Sequence, residues 1–193
     1  MTNRTLRLPL LLTAALLAAL TLAACGGGHK NPTEHGEGEG AYIQAGPLIY
    51  QVQMSRQLEP GNIEDVEYLQ GLPAAEPPLE GDELWFGVFM RVQNATDDAH
   101  ESAEEFKIVD TVGTEYEPIE LPARNPFAYV SALIQGEQVQ PVYPDPESGA
   151  GAGPTQGSML LFKLNTSVYA NRPVELEIES PEGGEPSTVE LDL

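Results

Sequence analysis

One cysteine, Cys25, and three histidines, His29, His35 and His100, are the side chains of this 193-residue chain best suited to nucleophilic, metal or base chemistry. Nucleophilic catalysis places a Ser, Thr or Cys beside a base. His29 and His35 fall among Gly and Glu near the start, which leaves His100 in the run Asp97, Asp98, Ala99, His100, Glu101. A histidine in so polar a run reads as a solvated loop residue. A cupredoxin-type copper centre needs a Cys, two His and a weak Met, and the neighbours of Cys25 commit that thiol elsewhere. A calcium loop needs closely spaced oxygen ligands around a Gly; Asn94, Asp97, Asp98 and Glu101, or Asp145 with Glu147, lack that order. Glu104 and Glu105 are the right residue type for glycoside hydrolysis, but adjacent residues of a strand point to opposite faces. Asn94-Ala95-Thr96 and Asn165-Thr166-Ser167 match a glycan acceptor pattern, and turn formation accounts for both. The expectation is therefore no catalytic residue, no metal ligand and no cofactor.

Cys25 follows an apolar stretch of 15 residues, Leu8 to Leu22, which itself follows Arg4 and Arg7. A positive start, an apolar run and small residues before a cut are the parts of a secretory signal. The stretch is short of the roughly 20 residues that a membrane-spanning helix needs. Leu22, Ala23, Ala24 and Cys25 resemble the lipobox of bacterial lipoproteins. That resemblance implies cleavage between Ala24 and Cys25, a diacylglyceryl group on the Cys25 sulfur, and a mature protein lipid-anchored on the extracytoplasmic side of the cell membrane. Two acyl chains anchor stably where one is marginal. With its only cysteine so used, the fold has no disulfide to rely on.

Removing the signal takes Arg4 and Arg7 with it, leaving 7 basic residues against 30 acidic ones, a net charge of −23. Such a charge keeps a domain soluble and opposes binding to nucleic acid, so nucleic acid is excluded as a partner. Residues 26–40 carry no apolar side chain except the ring of Pro32 and read as a flexible tether. A Gly-rich tether of this length spans about 21 Å root-mean-square, more than the Debye length of about 8 Å. The expected organisation is a signal peptide over 1–24, a lipidated N-terminus and tether over 25–40, and one domain over 41–193.

Within that domain the apolar period is two. Leu84, Phe86, Val88, Met90 and Val92 share one face, with Trp85, Gly87, Phe89 and Arg91 on the other. Val174, Leu176 and Ile178 alternate with Glu175, Glu177 and Glu179, and Val189 and Leu191 with Glu190 and Asp192. One dry and one wet face is the habit of antiparallel sheets. Further strands are expected over 42–45, 48–54, 105–110, 115–119 and 159–164, and a helical period only over 63–69. About eight short strands between Gly, Pro, Asn and Asp clusters predict an all-β antiparallel sandwich, with a closed barrel as the alternative. Two long loops, 55–82 and 135–157, fit neither strand nor tight turn; loops so long are functional or disordered, and Gly and Pro in the second favour disorder.

The order of pieces also resembles a known group. Val92, Asn94 and Thr96, then Phe106, Ile108, Asp110, Gly113 and Tyr116, then Gly157, Leu160 and Phe162 resemble the immunoglobulin-like domains of bacterial exported lipoproteins, similar to the immunoprotective extracellular antigen family. The resemblance spans about 83–191 and implies an immunoglobulin-like β-sandwich. Asp110 and Gly113 are expected as turn residues, by a side chain that bonds nearby backbone and a site open to positive φ. For function, the expectation is a non-catalytic binding or structural module of the cell envelope that engages an envelope protein or small ligand. Trp85, Phe89, Tyr129 and Tyr143 form the candidate binding face. The alternative is a calcium-dependent or hydrolytic protein using its acidic loops.

Overall fold

The computed structural model describes residues 31–74, 76–122, 124–141 and 157–193. Cys25, Ala24, Tyr143, Asp145, Glu147 and most of the loop expected to be disordered lie outside the described residues. Thirteen strands follow in order: β1 (His35–Gly36), β2 (Ile43–Ala45), β3 (Leu48–Leu58), β4 (Glu83–Asn94), β5 (His100–Glu101), β6 (Phe106–Val109), β7 (Glu115–Tyr116), β8 (Pro118–Ile119), β9 (Leu133–Ile134), β10 (Val139–Gln140), β11 (Ser158–Asn165), β12 (Val174–Ile178) and β13 (Ser187–Leu191). Sheet one runs β2-β3-β4-β11-β8, with β10 also on β4; sheet two runs β1-β13-β12-β6-β7; β5 and β9 form a separate pair. The chain is an antiparallel β-sandwich, apart from the parallel pairing of β1 with β13.

The alternation read in the sequence builds the core between the sheets. Leu84, Phe86, Val88, Met90 and Val92 of β4 meet Phe106, Ile108, Leu176, Ile178 and Val189 of sheet two, all buried. The wet face of sheet two carries Glu175 directly opposite Glu190 and Glu177 opposite Lys107. Like charges placed opposite one another cost stability, so the hydrophobic face rather than the cross-strand pairs holds this sheet. Asp110 behaves as a turn residue: its Oδ1 accepts from the N–H of Val112 at 3.1 Å and of Thr114 at 2.8 Å, and Gly113 has φ +83°.

Three expectations are corrected. Residues 31–40 are folded. Thr33 bonds both ways with β2, through Thr33 N–H to the Tyr42 carbonyl at 2.9 Å and Gln44 N–H to the Thr33 carbonyl at 2.8 Å, while β1 pairs with β13. The segment thus crosses from one sheet to the other along a shared edge, by backbone bonds that a glycine-rich composition does not announce. The expected single strand over 115–119 is two, β7 in sheet two and β8 in sheet one. Pro118, with no N–H to donate, stands where the chain changes sheets. Residues 63–69 make successive turns instead of a helix.

Those turns belong to the loop between β3 and β4, residues 59–82, which is a cover; the expected loop start at Ser55 falls inside β3, which pairs with β4 as far as Leu58. Tyr68, Leu69, Leu72 and Leu79, with Ile119, Leu121 and Phe127, pack on the outer face of sheet one over Leu58, Trp85, Phe89, Met159 and Leu161. Tyr68 stands edge-on to both Phe89 and Phe127, with ring centroids 5.0 and 4.7 Å apart. The cover is pinned by charge at two points. The Asp65 carboxylate, out of contact with solvent, receives both terminal nitrogens of Arg56 and the Glu59 N–H at 2.8 Å. Lys163 Nζ lies 5.3 Å from the Trp85 ring centre, bonds the Pro77 carbonyl at 3.0 Å and pairs with Glu76 at 2.5 Å.

Candidate functional site

The cover decides the fate of the candidate binding face. Trp85 and Phe89 are 4% and 0% exposed, sealed in this second core, and cannot form an open aromatic surface. The reason is that the part of sheet one around Trp85 and Phe89 is dry on both faces, the inner against sheet two and the outer against its own loop. Tyr129 is half-buried and stands edge-on to Phe106, with ring centroids 5.1 Å apart. Among the three described aromatics of the expected face, Tyr129 lines an open cleft.

That cleft forms because two segments compete for the free edge of β11. β8 pairs there at Leu161 and Phe162, and residues 127–129 bond to Met159 through Met159 N–H to the Phe127 carbonyl at 2.6 Å and Tyr129 N–H to the Met159 carbonyl at 2.9 Å. Between them opens a cleft of about 470 Å³, floored by Met159 and Leu160, walled by Pro118 to Leu121 on one side and by Tyr129 and Ser131 on the other, with Glu104 among its lining residues. A second cleft of about 440 Å³ shares Glu104 and is lined by Glu101, Ser102, Glu105, Glu179, Ser180, Pro181 and Gly183. Glu104 therefore belongs to both, on the segment 101–105 that carries the chain from β5 into β6.

A hydroxyl network holds that segment. The Ala103 N–H donates to the Tyr50 hydroxyl at 2.7 Å; the Tyr129 hydroxyl donates to the Ala103 carbonyl at 2.8 Å and lies 3.0 Å from Ser102 Oγ, which accepts the Ala132 N–H at 3.0 Å. Burial raises both phenols, Tyr50 up to about 12 and Tyr129 further, against the partial relief of the Ala103 N–H and the Ser102 hydroxyl. At neutral pH both stay protonated, so they brace the segment, Tyr129 as a donor and Tyr50 as an acceptor, rather than act as bases or nucleophiles. Ser131 donates to Glu104 at 3.2 Å. His100 Nδ1 lies 3.3 Å from the Glu182 carboxylate. Among the described residues no cluster of three or more His, Cys, Asp or Glu side chains is placed to hold a metal ion, and the ion pairs there use carboxylates other than Glu101, Glu104, Glu105 and Glu120. Both clefts thus offer shape and negative charge, and the first adds an apolar floor.

No protein-family profile matches the chain, and no curated protein matches it. Among solved structures it is similar to the yjhA protein of Bacillus subtilis, with 10% identity over 81% of this chain and 99% of that one and a TM-score of 0.47. It is similar to ycdA of the same organism, described as a lipoprotein candidate, with 14% identity over 80% of this chain and 38% of that one and a TM-score of 0.47. An uncharacterized β-sandwich protein of Clostridium difficile aligns over 84% of this chain and 99% of its own, at 10% identity and a TM-score of 0.42. The likeness to the immunoprotective antigen family finds no support in these matches, whereas the sandwich itself stands on the sheet topology.

The network around Ser102 and Ala103 is what residue types alone did not reveal. Tyr50 and Ala103 are 53 positions apart and Tyr129 and Ser102 are 27 apart. The one local sign is the polar doublet Glu104-Glu105 beside small residues that the strand pattern leaves unassigned.

Proposed function

We propose that this protein is a lipid-anchored extracytoplasmic lipoprotein that acts as a non-catalytic binding module of the cell envelope, and that it receives an envelope protein or small ligand at the paired clefts around Glu104. The observation that carries this reading is the division of labour at that end of the sandwich: the nearby phenols and Ser102 are spent on holding the segment, while the two clefts beside it stay open. Clefts lined by one sign of charge focus the field and concentrate opposite charge, so positively charged groups on the partner are favoured. Cys25 supplies the anchor. The test is a photo-reactive residue at position 131, beside the first cleft, against one at Thr188 on the wet face of sheet two, each in intact cells. Adducts that form at position 131 and not at 188 are expected; equal capture at both, or none at 131, would remove the clefts from the proposal.

A further inference from the structure

The walls of the first cleft offer charge, and its floor withholds hydrogen bonds. Glu120 belongs to the wall over 118–121, and Glu104 stands with the facing wall, where Ser131 donates to its carboxylate at 3.2 Å. Neither carboxylate enters an ion pair among the described residues. Ile119, Leu121, Met159 and Leu160 give the space between them an apolar lining. Negative charge in a cleft concentrates cations. A calcium-like ion needs six or more oxygen ligands in one place, and among the described residues no three acidic or imidazole side chains converge. Two carboxylates set apart across an apolar lining suit an organic cation instead.

The Tyr129 ring is a fixed part of that lining. Its hydroxyl donates to the Ala103 carbonyl at 2.8 Å and lies 3.0 Å from Ser102 Oγ, so the ring keeps its place with no ligand to hold it. An aromatic ring adds to the attraction for an ammonium group lying over its face within about 6 Å.

The backbone of the floor is already spent. Met159 donates to the Phe127 carbonyl and accepts from the Tyr129 N–H, Leu160 lies in the ladder with β4, and Leu161 pairs with β8. An extended peptide gains its affinity from main-chain bonds to a free strand edge, and laid on this floor it would bury N–H and C=O groups without partners. The fitting occupant is therefore cationic, aliphatic between its charges and free of peptide groups. At about 470 Å³ the cleft has the size of a small-molecule site, about 300–1,000 Å³.

We infer that the first cleft binds a linear aliphatic polyamine, with its methylenes on Met159 and Leu160 and its ammonium groups toward Glu104 and Glu120. This ligand rests on the binding role proposed above, and of the two kinds of partner named there it selects the small molecule.

The test is calorimetric titration of the full chain in detergent with spermidine, beside a straight-chain diol of similar length, tri-lysine and magnesium ion. Spermidine should bind at one site and the diol should not bind. Glu104→Gln and Glu120→Gln should each weaken spermidine about fivefold, the upper end for an exposed charge pair. Glu190→Gln, opposite Glu175 on the wet face of sheet two, removes the same net charge and should change the affinity less than about twofold. An equal loss from Glu190→Gln would reduce the binding to general attraction by an acidic surface and overturn the site. Tri-lysine binding more tightly than spermidine, or magnesium displacing spermidine at equal charge concentration, would overturn the ligand class. In intact cells the adduct at position 131 should carry the mass of a polyamine. A protein adduct there, with no spermidine bound by the purified chain, would overturn the polyamine and keep the cleft as a binding site; no adduct and no spermidine bound would remove both.

Discussion

Replacing Asp65 with Ala tests whether the loop over 59–82 is a structural cover locked to β3. The carboxylate is fully buried and accepts from Arg56, from the Arg56 second terminal nitrogen at 3.3 Å, and from the Glu59 N–H at 2.8 Å. Removing one partner of a buried ion pair costs about 3–5 kcal/mol, but the Arg56 side chain is 34% exposed, can turn to water, and brings the figure towards that of a surface pair. The stranded Glu59 N–H adds about 1–3 kcal/mol where water cannot reach it. A loss of about 2–4 kcal/mol follows, which for a domain of this size lowers the Tm by roughly 5–15 °C. The chain has one tryptophan, Trp85, and it lies under this cover, so its emission reports the lock directly: in the variant it should shift to the red at denaturant concentrations where the far-UV circular dichroism of the whole domain is still native. The pH dependence has a definite sign. Burial opposes ionisation of Asp65, yet Arg56 and the Glu59 N–H outweigh it and hold the pKa below its ordinary 3.8. The folded state therefore gains from this carboxylate above the unfolded pKa, and the gain fades as pH falls through the lowered folded value. The Tm gap between parent and variant should be full at neutral pH and close in acid below about pH 4. A gap under about 1 °C at pH 7, or one unchanged by acid, would refute the reasoning.

Gly157 enters β11 with φ +104°, and a Cβ there would overlap the backbone of Met90; Gly157→Ala should cost at least about 2 kcal/mol through strain and displaced β4 backbone, measured by urea unfolding, and a midpoint equal to the parent's would contradict the packing at this strand entry. Tyr129→Phe deletes the hydroxyl that bonds the Ala103 carbonyl and should cost about 1–2 kcal/mol, with altered hydrogen exchange at Ala103 and Ala132. In the intact protein the phenol absorbance of Tyr50 should change only near pH 12, and ionisation of every tyrosine near its free value of about 10 would show that the network is open to solvent.

Much of this molecule was legible in order of residues. Alternation at 84–92, 174–178 and 189–191 placed the strands, and in the last two it told which side is dry, because a strand turns successive side chains to opposite faces. Asn94 and Asp110 were legible as turn builders, and the structure shows why: the Asn94 side chain donates to the carbonyls of Asp98 and Ile134 and accepts the Thr96 N–H. Trp85 and Phe89 carried the opposite lesson. Their position on the second face of β4 was read correctly, but an apolar face states only that something must cover it; Tyr68, Leu69, Leu72 and Leu79 do so without any period a sequence window could detect.

What the sequence by itself determined is the place of the longer strands, the strong negative charge and a lone cysteine set after a short apolar run. Those properties depend on residue type and on neighbours within a few positions. Tertiary structure alone decided that residues 31–40 clasp two sheets, that the long loop closes a second core, and that two edge segments part over β11 to leave a cleft beside Glu104. Each of these is a pairing between backbone or side chains many positions apart. Its free energy comes from hydrogen bonds and buried area that exist only once the sheets have met.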